Sequence, residues 1–178
     1  HRALTSAMID SREFIAALQS EKPDLVVWHW QDPRLQSQQQ VQEDRDKRFS
    51  YLATWRIATQ TFVRLTDDSL RDVTLPPRGT WAFGSDRTPY ELTASLEGRH
   101  YQDLYAIALA TGARTPIAKQ VRWSYAASPD GTKLLYYVDG HYFVFDAAAG
   151  RATNITAKGP VSFVNVEDDH NVVKPPIP

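Results

Sequence analysis

The sequence predicts an all-β chain arranged as a partial β-propeller of three to four four-stranded antiparallel blades, with a short N-terminal helix. Three observations predict it. Apolar and aromatic residues fall in short runs that alternate with period two, as in Tyr51-Leu52-Ala53-Thr54-Trp55-Arg56-Ile57. Eleven prolines and eight glycines punctuate those runs, and each residue type has its own reason to sit in a tight turn. The same outline then recurs. Asp103-Leu104-Tyr105-Ala106-Ile107-Ala108-Leu109-Ala110-Thr111-Gly112 aligns with His141-Tyr142-Phe143-Val144-Phe145-Asp146-Ala147-Ala148-Ala149-Gly150, 38 residues later. About fifty residues before the first of these, Tyr51 to Thr59 followed by Phe62-Val63-Arg64-Leu65-Thr66 repeats the outline without the turn glycine. A period of roughly 40–50 residues carrying four short strands is the mark of a propeller blade.

A helix is expected over residues 10–19, where Asp10 caps, Glu13 completes a capping box, and Phe14, Ile15 and Leu18 form an apolar stripe. Pro23 limits its extent. A second helix over 35–46 follows Pro33, with Gln-rich helix formers and a poor apolar face. Strands are expected at 25–30, 49–58, 62–66, 80–84, 103–109, 114–118, 122–127, 133–138, 141–146, 152–156 and 161–166. Ser128-Pro129-Asp130-Gly131 reads as a turn, and Asp139-Gly140 between aromatic strands as a two-residue hairpin of type I′.

These elements divide the chain into a helical segment at 1–20 and a partial propeller at 21–178. The blades fall at 25–66, 73–119 and 122–156, and 161–166 opens another. A single blade has two apolar faces and cannot bury both, so blades must stack. Fewer than four blades leave a ring open. The chain therefore reads as a fragment, beginning at His1 without Met and ending mid-loop at Lys174-Pro175-Pro176-Ile177-Pro178. A compact β-sandwich is the competing architecture.

Composition excludes several function classes. The 178 residues carry 20 Lys plus Arg against 21 Asp plus Glu, a net charge of -1. That balance argues against nucleic-acid binding, which needs a clustered basic excess. Apolar runs such as Leu25-Val26-Val27-Trp28 are far too short to span a membrane. With no cysteine, a disulfide scaffold, a thiolate metal site and a cysteine nucleophile are all excluded. The compartment stays open between cytoplasm and an exported location.

Three segments carry a resemblance to a known family. They are Ser128-Pro129-Asp130-Gly131-Thr132-Lys133-Leu134-Leu135-Tyr136-Tyr137, the stretch from Val26 through Trp28-His29-Trp30-Gln31-Asp32-Pro33 to Gln40, and Pro160 through Phe163 and Asn165 to His170. Together they resemble the N-terminal propeller of bacterial members of the prolyl oligopeptidase family of serine peptidases, related to acylaminoacyl peptidases and dipeptidyl peptidase IV. The resemblance covers about residues 11–178. It implies that the chemistry sits in a separate, C-terminal α/β-hydrolase domain, whose signature is G-x-S-x-G. No serine of this chain has glycine both two residues before and two residues after. The resemblance therefore implies a non-catalytic module that gates and positions peptide substrates, with the hydrolase domain of the parent chain as its partner. Exposed blade faces also suggest homo-oligomers. The acidic pair by which some dipeptidyl peptidases hold a substrate N-terminus has no match, Tyr90-Glu91 being too little. The alternative is a freestanding TolB-like binding module for protein or carbohydrate.

No residue is assigned a catalytic, cofactor-binding or metal-binding role, and each candidate has a plainer reading. Glu167-Asp168-Asp169-His170 gathers hard-cation ligands, but neighbours on an extended chain point to opposite sides, so a solvated loop is favoured. His29 between Trp28 and Trp30 suits a structural histidine better than a general base. Trp55, Trp81, Trp123, Tyr105, Tyr137 and Tyr142 are placed to pack blade on blade rather than to stack sugars. Gln36, Gln38-Gln39-Gln40 and Gln42, beside Glu43-Asp44-Arg45-Asp46-Lys47-Arg48, form a solvated connection. Asn154-Ile155-Thr156 matches a glycosylation sequon, with Ile155 expected to be buried in a strand.

Overall fold

The computed structural model describes residue 27 and residues 29–177. Contacts divide the chain at Trp30, and the fold described here belongs to the unit beginning at Gln31. The helix expected over 10–19 lies outside the described residues, as does most of the strand expected over 25–30. Val27 and Trp30 belong to no strand and are exposed.

Helix α1, Gln36–Lys47, follows Pro33 and has no buried residue. Its stability comes from strong helix formers and from charge pairs, not from an apolar stripe. Glu43 and Lys47 pair one turn apart, and Arg34 pairs with Asp46 at 2.9 Å.

The strands are β1 (Ala53–Arg56), β2 (Thr61–Arg64), β3 (Asp72–Thr74), β4 (Trp81–Asp86), β5 (Gln102–Ala108), β6 (Arg114–Val121), β7 (Trp123–Ala127), β8 (Lys133–Val138), β9 (His141–Asp146) and β10 (Arg151–Asn154). They form three antiparallel sheets: the hairpin β1-β2, a four-stranded sheet in the order β3-β4-β5-β6, and another in the order β7-β8-β9-β10. In both larger sheets, neighbours in space are neighbours in sequence, so each is a plain meander. Between β4 and β5 the chain makes a 3₁₀ turn, Thr88–Tyr90, and helix α2, Glu91–Glu97. Gly98 ends α2 at φ 68°, a left-handed cap that glycine adopts without a Cβ penalty.

Period two explains the core. Ala82 pairs with Ile107 across β4 and β5, and Phe83 pairs with Ala106, so the two pairs face opposite sides of the middle sheet. On one side Phe83, Leu104, Ala106 and Val121 meet Leu134, Tyr136 and Phe145 of the last sheet and Ala147 in the turn after β9. On the other side Ala82 and Ile107 meet Leu65 and Leu70, which follow β2. The middle sheet is thus buried on both faces, and the order of layers is the order of the sequence.

The turns form as their residues dictate. Asp139 and Gly140 take φ 51° and 81° between the paired Val138 and His141, which is a type I′ hairpin. At Ser128–Gly131 the Asp130 carboxylate accepts the Thr132 N–H at 3.1 Å and its hydroxyl at 2.9 Å.

Three expectations need correction. The architecture is mostly β rather than all-β: α1 is the helix expected over 35–46, whereas α2 is unexpected, because it and the 3₁₀ turn have too short an apolar pattern to stand out in sequence. Residues 161–166 do not form a strand. A single bridge joins Val164 to Pro176, and prolines at 175 and 176 supply no N–H to extend the ladder. The strand expected over 49–58 shortens to Ala53–Arg56, since the Leu52 N–H donates to the Thr66 hydroxyl at 2.7 Å.

Candidate functional site

Three cavities adjoin where α1, the 3₁₀ turn with α2, and the β3 edge come together. Their volumes are about 630, 440 and 360 Å³, within or near the roughly 300–1,000 Å³ of small-molecule sites. Arg87 lines all three, and Arg45 lines the first and third.

Polar contacts fix the walls. The Tyr90 hydroxyl donates to the Asp103 carboxylate at 2.6 Å, and the Gln120 N–H donates to the same group at 2.9 Å. Gln120 holds φ 54° there, a conformation uncommon for a residue with a Cβ, and its hydrogen bond offsets the strain. Burial, then the Asp103 carboxylate, push the Tyr90 phenol up to about 12, so it stays a neutral donor at physiological pH. This knot ties the 3₁₀ turn, and α2 after it, to the start of β5. Beside it the buried Gln102 amide donates to the Ser124 hydroxyl at 2.8 Å, linking the middle sheet to β7. Helix α1 is held by Arg34, whose carbonyl accepts from the Gln39 amide at 2.8 Å.

Charge at the site divides into paired and free groups. Arg34 pairs with Asp46, and Arg71 with Asp68 at 3.4 Å. Among the described residues the guanidinium groups of Arg45 and Arg87 have no hydrogen-bond or ion-pair partner. Asp72, opposite Ser85 in the β3-β4 register, likewise has a free carboxylate. The first cavity thus offers two free cations and one free anion beside the apolar Val73, Phe83, Leu104 and Leu134. Two guanidinium forks and a carboxylate beside an apolar wall are able to hold and orient a polar ligand.

The candidates named from sequence lie elsewhere. In the 167–170 loop, the Asp168 carboxylate accepts the N–H groups of His170 and Asn171 at 3.1 and 2.8 Å, while Asp169 and His170 pair at 3.3 Å in solvent. Among the described residues no three or more His, Cys, Asp or Glu side chains are placed to hold a metal ion. His29 lies against Trp30, ring centroids 5.8 Å apart; Trp28 is outside the described residues. Trp123, Tyr137 and Tyr142 form a chain of edge contacts on the outer face of the last sheet. Trp81 and Tyr105 pack against the two core clusters. Trp55 departs from expectation, being 57% exposed. Ile155 does too: β10 ends at Asn154 and Ile155 is 57% exposed. The glutamine run forms α1, and Gln38 and Gln42, one turn apart, line the second cavity.

Sequence reasoning missed Arg87, Asp72 and Ser85, and read Arg45 as part of a solvated charge run. One signal was available: Gln102-Asp103 opens an otherwise apolar strand with two polar residues, and both are buried. Comparison with protein-family models, with curated proteins and with solved structures finds no match.

Proposed function

We propose that this chain is an arc of a β-propeller from the non-catalytic N-terminal part of a prolyl oligopeptidase-like serine peptidase, where it gates and positions peptide substrates for an α/β-hydrolase domain. One observation carries the reading. Two four-stranded meanders follow one another in the same strand order, face to face, behind a hairpin standing where the third and fourth strands of a blade belong. A β-sandwich would place Greek-key crossovers between its sheets, and neither four-stranded sheet has one. In this reading the blades are the end of one at 53–64 and two complete ones at 72–121 and 123–154. Helices α1 and α2 then both lead into the third strand of a blade, which places them on one rim around the cavities.

The test is the longer gene product. A G-x-S-x-G serine downstream of Pro178 should react with a fluorophosphonate probe, and peptide hydrolysis should require that serine. Residues 1–178 alone should neither label nor hydrolyse. A reading frame without a downstream nucleophile would instead support the freestanding TolB-like binding module.

A further inference from the structure

We propose that the crevice of about 630 Å³ between β3 and β7 binds the C-terminal end of a peptide, with its free carboxylate held by Arg45 and Arg87. The ligand class rests on the peptide-handling reading above; the placement within the molecule rests on three features of the crevice itself.

The first is charge. Arg45 on α1 and Arg87 before the 3₁₀ turn line the same cavity from different elements. Neither guanidinium group has a partner among the described residues, whereas those of Arg34 and Arg71 beside them are paired. Two unpaired guanidinium forks suit one carboxylate, because each matches its planar geometry. Asp72 leaves the site with one acceptor, which fits an N–H donor on the same ligand and disfavours a bare dianion.

The second feature is the body of the crevice. Val73, Phe83, Leu104 and Leu134 give it apolar walls, so the ligand carries an apolar side chain next to its carboxylate. The third is backbone. Among the described residues β3 pairs only with β4, and β7 only with β8. Both free edges, Asp72–Thr74 and residues 124–127, line the cavity. Unpaired strand edges present N–H and C=O groups to an extended chain, the mode by which a peptide adds to a sheet. Inorganic phosphate would use the arginines and neither of the other two features.

The experiment is calorimetric titration of the protein with the tetrapeptide Ala-Ala-Pro-Leu as free acid and as C-terminal amide. The acid should bind, with the amide weaker by roughly tenfold. Arg45→Gln with Arg87→Gln should bring the acid down to the amide's affinity without moving the melting temperature, and Arg151→Gln should change nothing. Equal affinity of acid and amide would overturn the carboxylate site, and leave the peptidase-propeller reading intact, since that depends on a downstream nucleophile. Wild-type affinity in the double variant, or saturable binding of inorganic phosphate but of neither peptide, would overturn it too.

Discussion

Gln60 holds at φ 50° the left-handed turn position that Gly150 holds at φ 62°. Both residues close four-residue loops, one between the paired Arg56 and Thr61, the other between the paired Asp146 and Arg151. The hairpins are thus the same device, built once with glycine and once without. A left-handed conformation costs a residue with a Cβ roughly 1–2 kcal/mol, part of which glycine returns through the freedom of its unfolded chain. Gln60→Gly should therefore stabilise the fold by about 0.5–1 kcal/mol. Urea unfolding checks it, and a midpoint at or below the wild-type value would show that the loop is unstrained.

Gly131 is required for a second reason besides its φ of 68°. A Cβ there would lie 2.3 Å from the Arg78 carbonyl oxygen, and one at Gly79 would lie 2.6 Å from that of Asp130. The β3-β4 and β7-β8 loops meet backbone to backbone, so neither can retreat by turning a side chain. At Gly150 a Cβ would meet nothing within 4 Å. Gly150→Ala should cost about 1 kcal/mol from backbone strain alone, and Gly131→Ala roughly 2–4 kcal/mol from strain and clash together. Equal losses in thermal melts would mean that the two loops do not touch in solution.

The hairpin periodicity, the Asp139-Gly140 turn and the repeated outline were legible in sequence because each is a local matter of side-chain alternation and φ preference. Residues 114–118 and 133–138 came out as strands for that reason. What stayed hidden depends on distant partners. Asp72–Thr74 is three residues long and becomes a strand only through pairing with Phe83, Gly84 and Ser85. Residues 161–166 have strand-like composition, yet no neighbour beyond Pro176 to pair with among the described residues. At the site, Arg45 and Arg87 lie on separate elements 42 positions apart, and no spacing rule links them. The Gln102-Asp103 pair was the one local hint, because polar residues opening a buried strand must find partners.

Asp67 gives the fold an acid-sensitive anchor. Its carboxylate accepts from the Ser69 hydroxyl at 2.7 Å and the Leu70 N–H at 2.9 Å, and pairs with Arg114 at 2.9 Å. These partners, the Ser69 hydroxyl foremost, hold its pKa at about 2. The unfolded value is about 3.9, so the stabilisation is complete above that pH and fades as pH falls toward 2. Asp67→Asn should lower the melting temperature at pH 6 and lose most of that deficit by pH 2.5. A deficit that stays constant across this range would assign it to packing instead of charge.

Trp55 and Phe62 are cross-strand partners in the β1-β2 hairpin, and they are 57% and 64% exposed, with Ile57 beside them at 82%. Alternation explains the contrast with the other face of the hairpin. There the Thr54 hydroxyl donates to the Leu109 carbonyl at 3.2 Å and Val63 packs on the core. A sheet with one covered face and one aromatic, solvent-facing one is an arrangement that stacked blades bury against a neighbour. Contiguous apolar surface of several hundred Å² is more than most soluble monomers expose. The isolated chain should therefore self-associate through this face as concentration rises. Replacing both residues, Trp55→Ser with Phe62→Ser, should weaken the association and leave the β-sheet circular dichroism unchanged, because neither side chain belongs to a core cluster. Light scattering over a concentration series decides the matter. A wild-type chain that stays monomeric at every concentration would mean that this aromatic face needs no neighbour, and with that the case for an open arc of blades loses one of its physical supports.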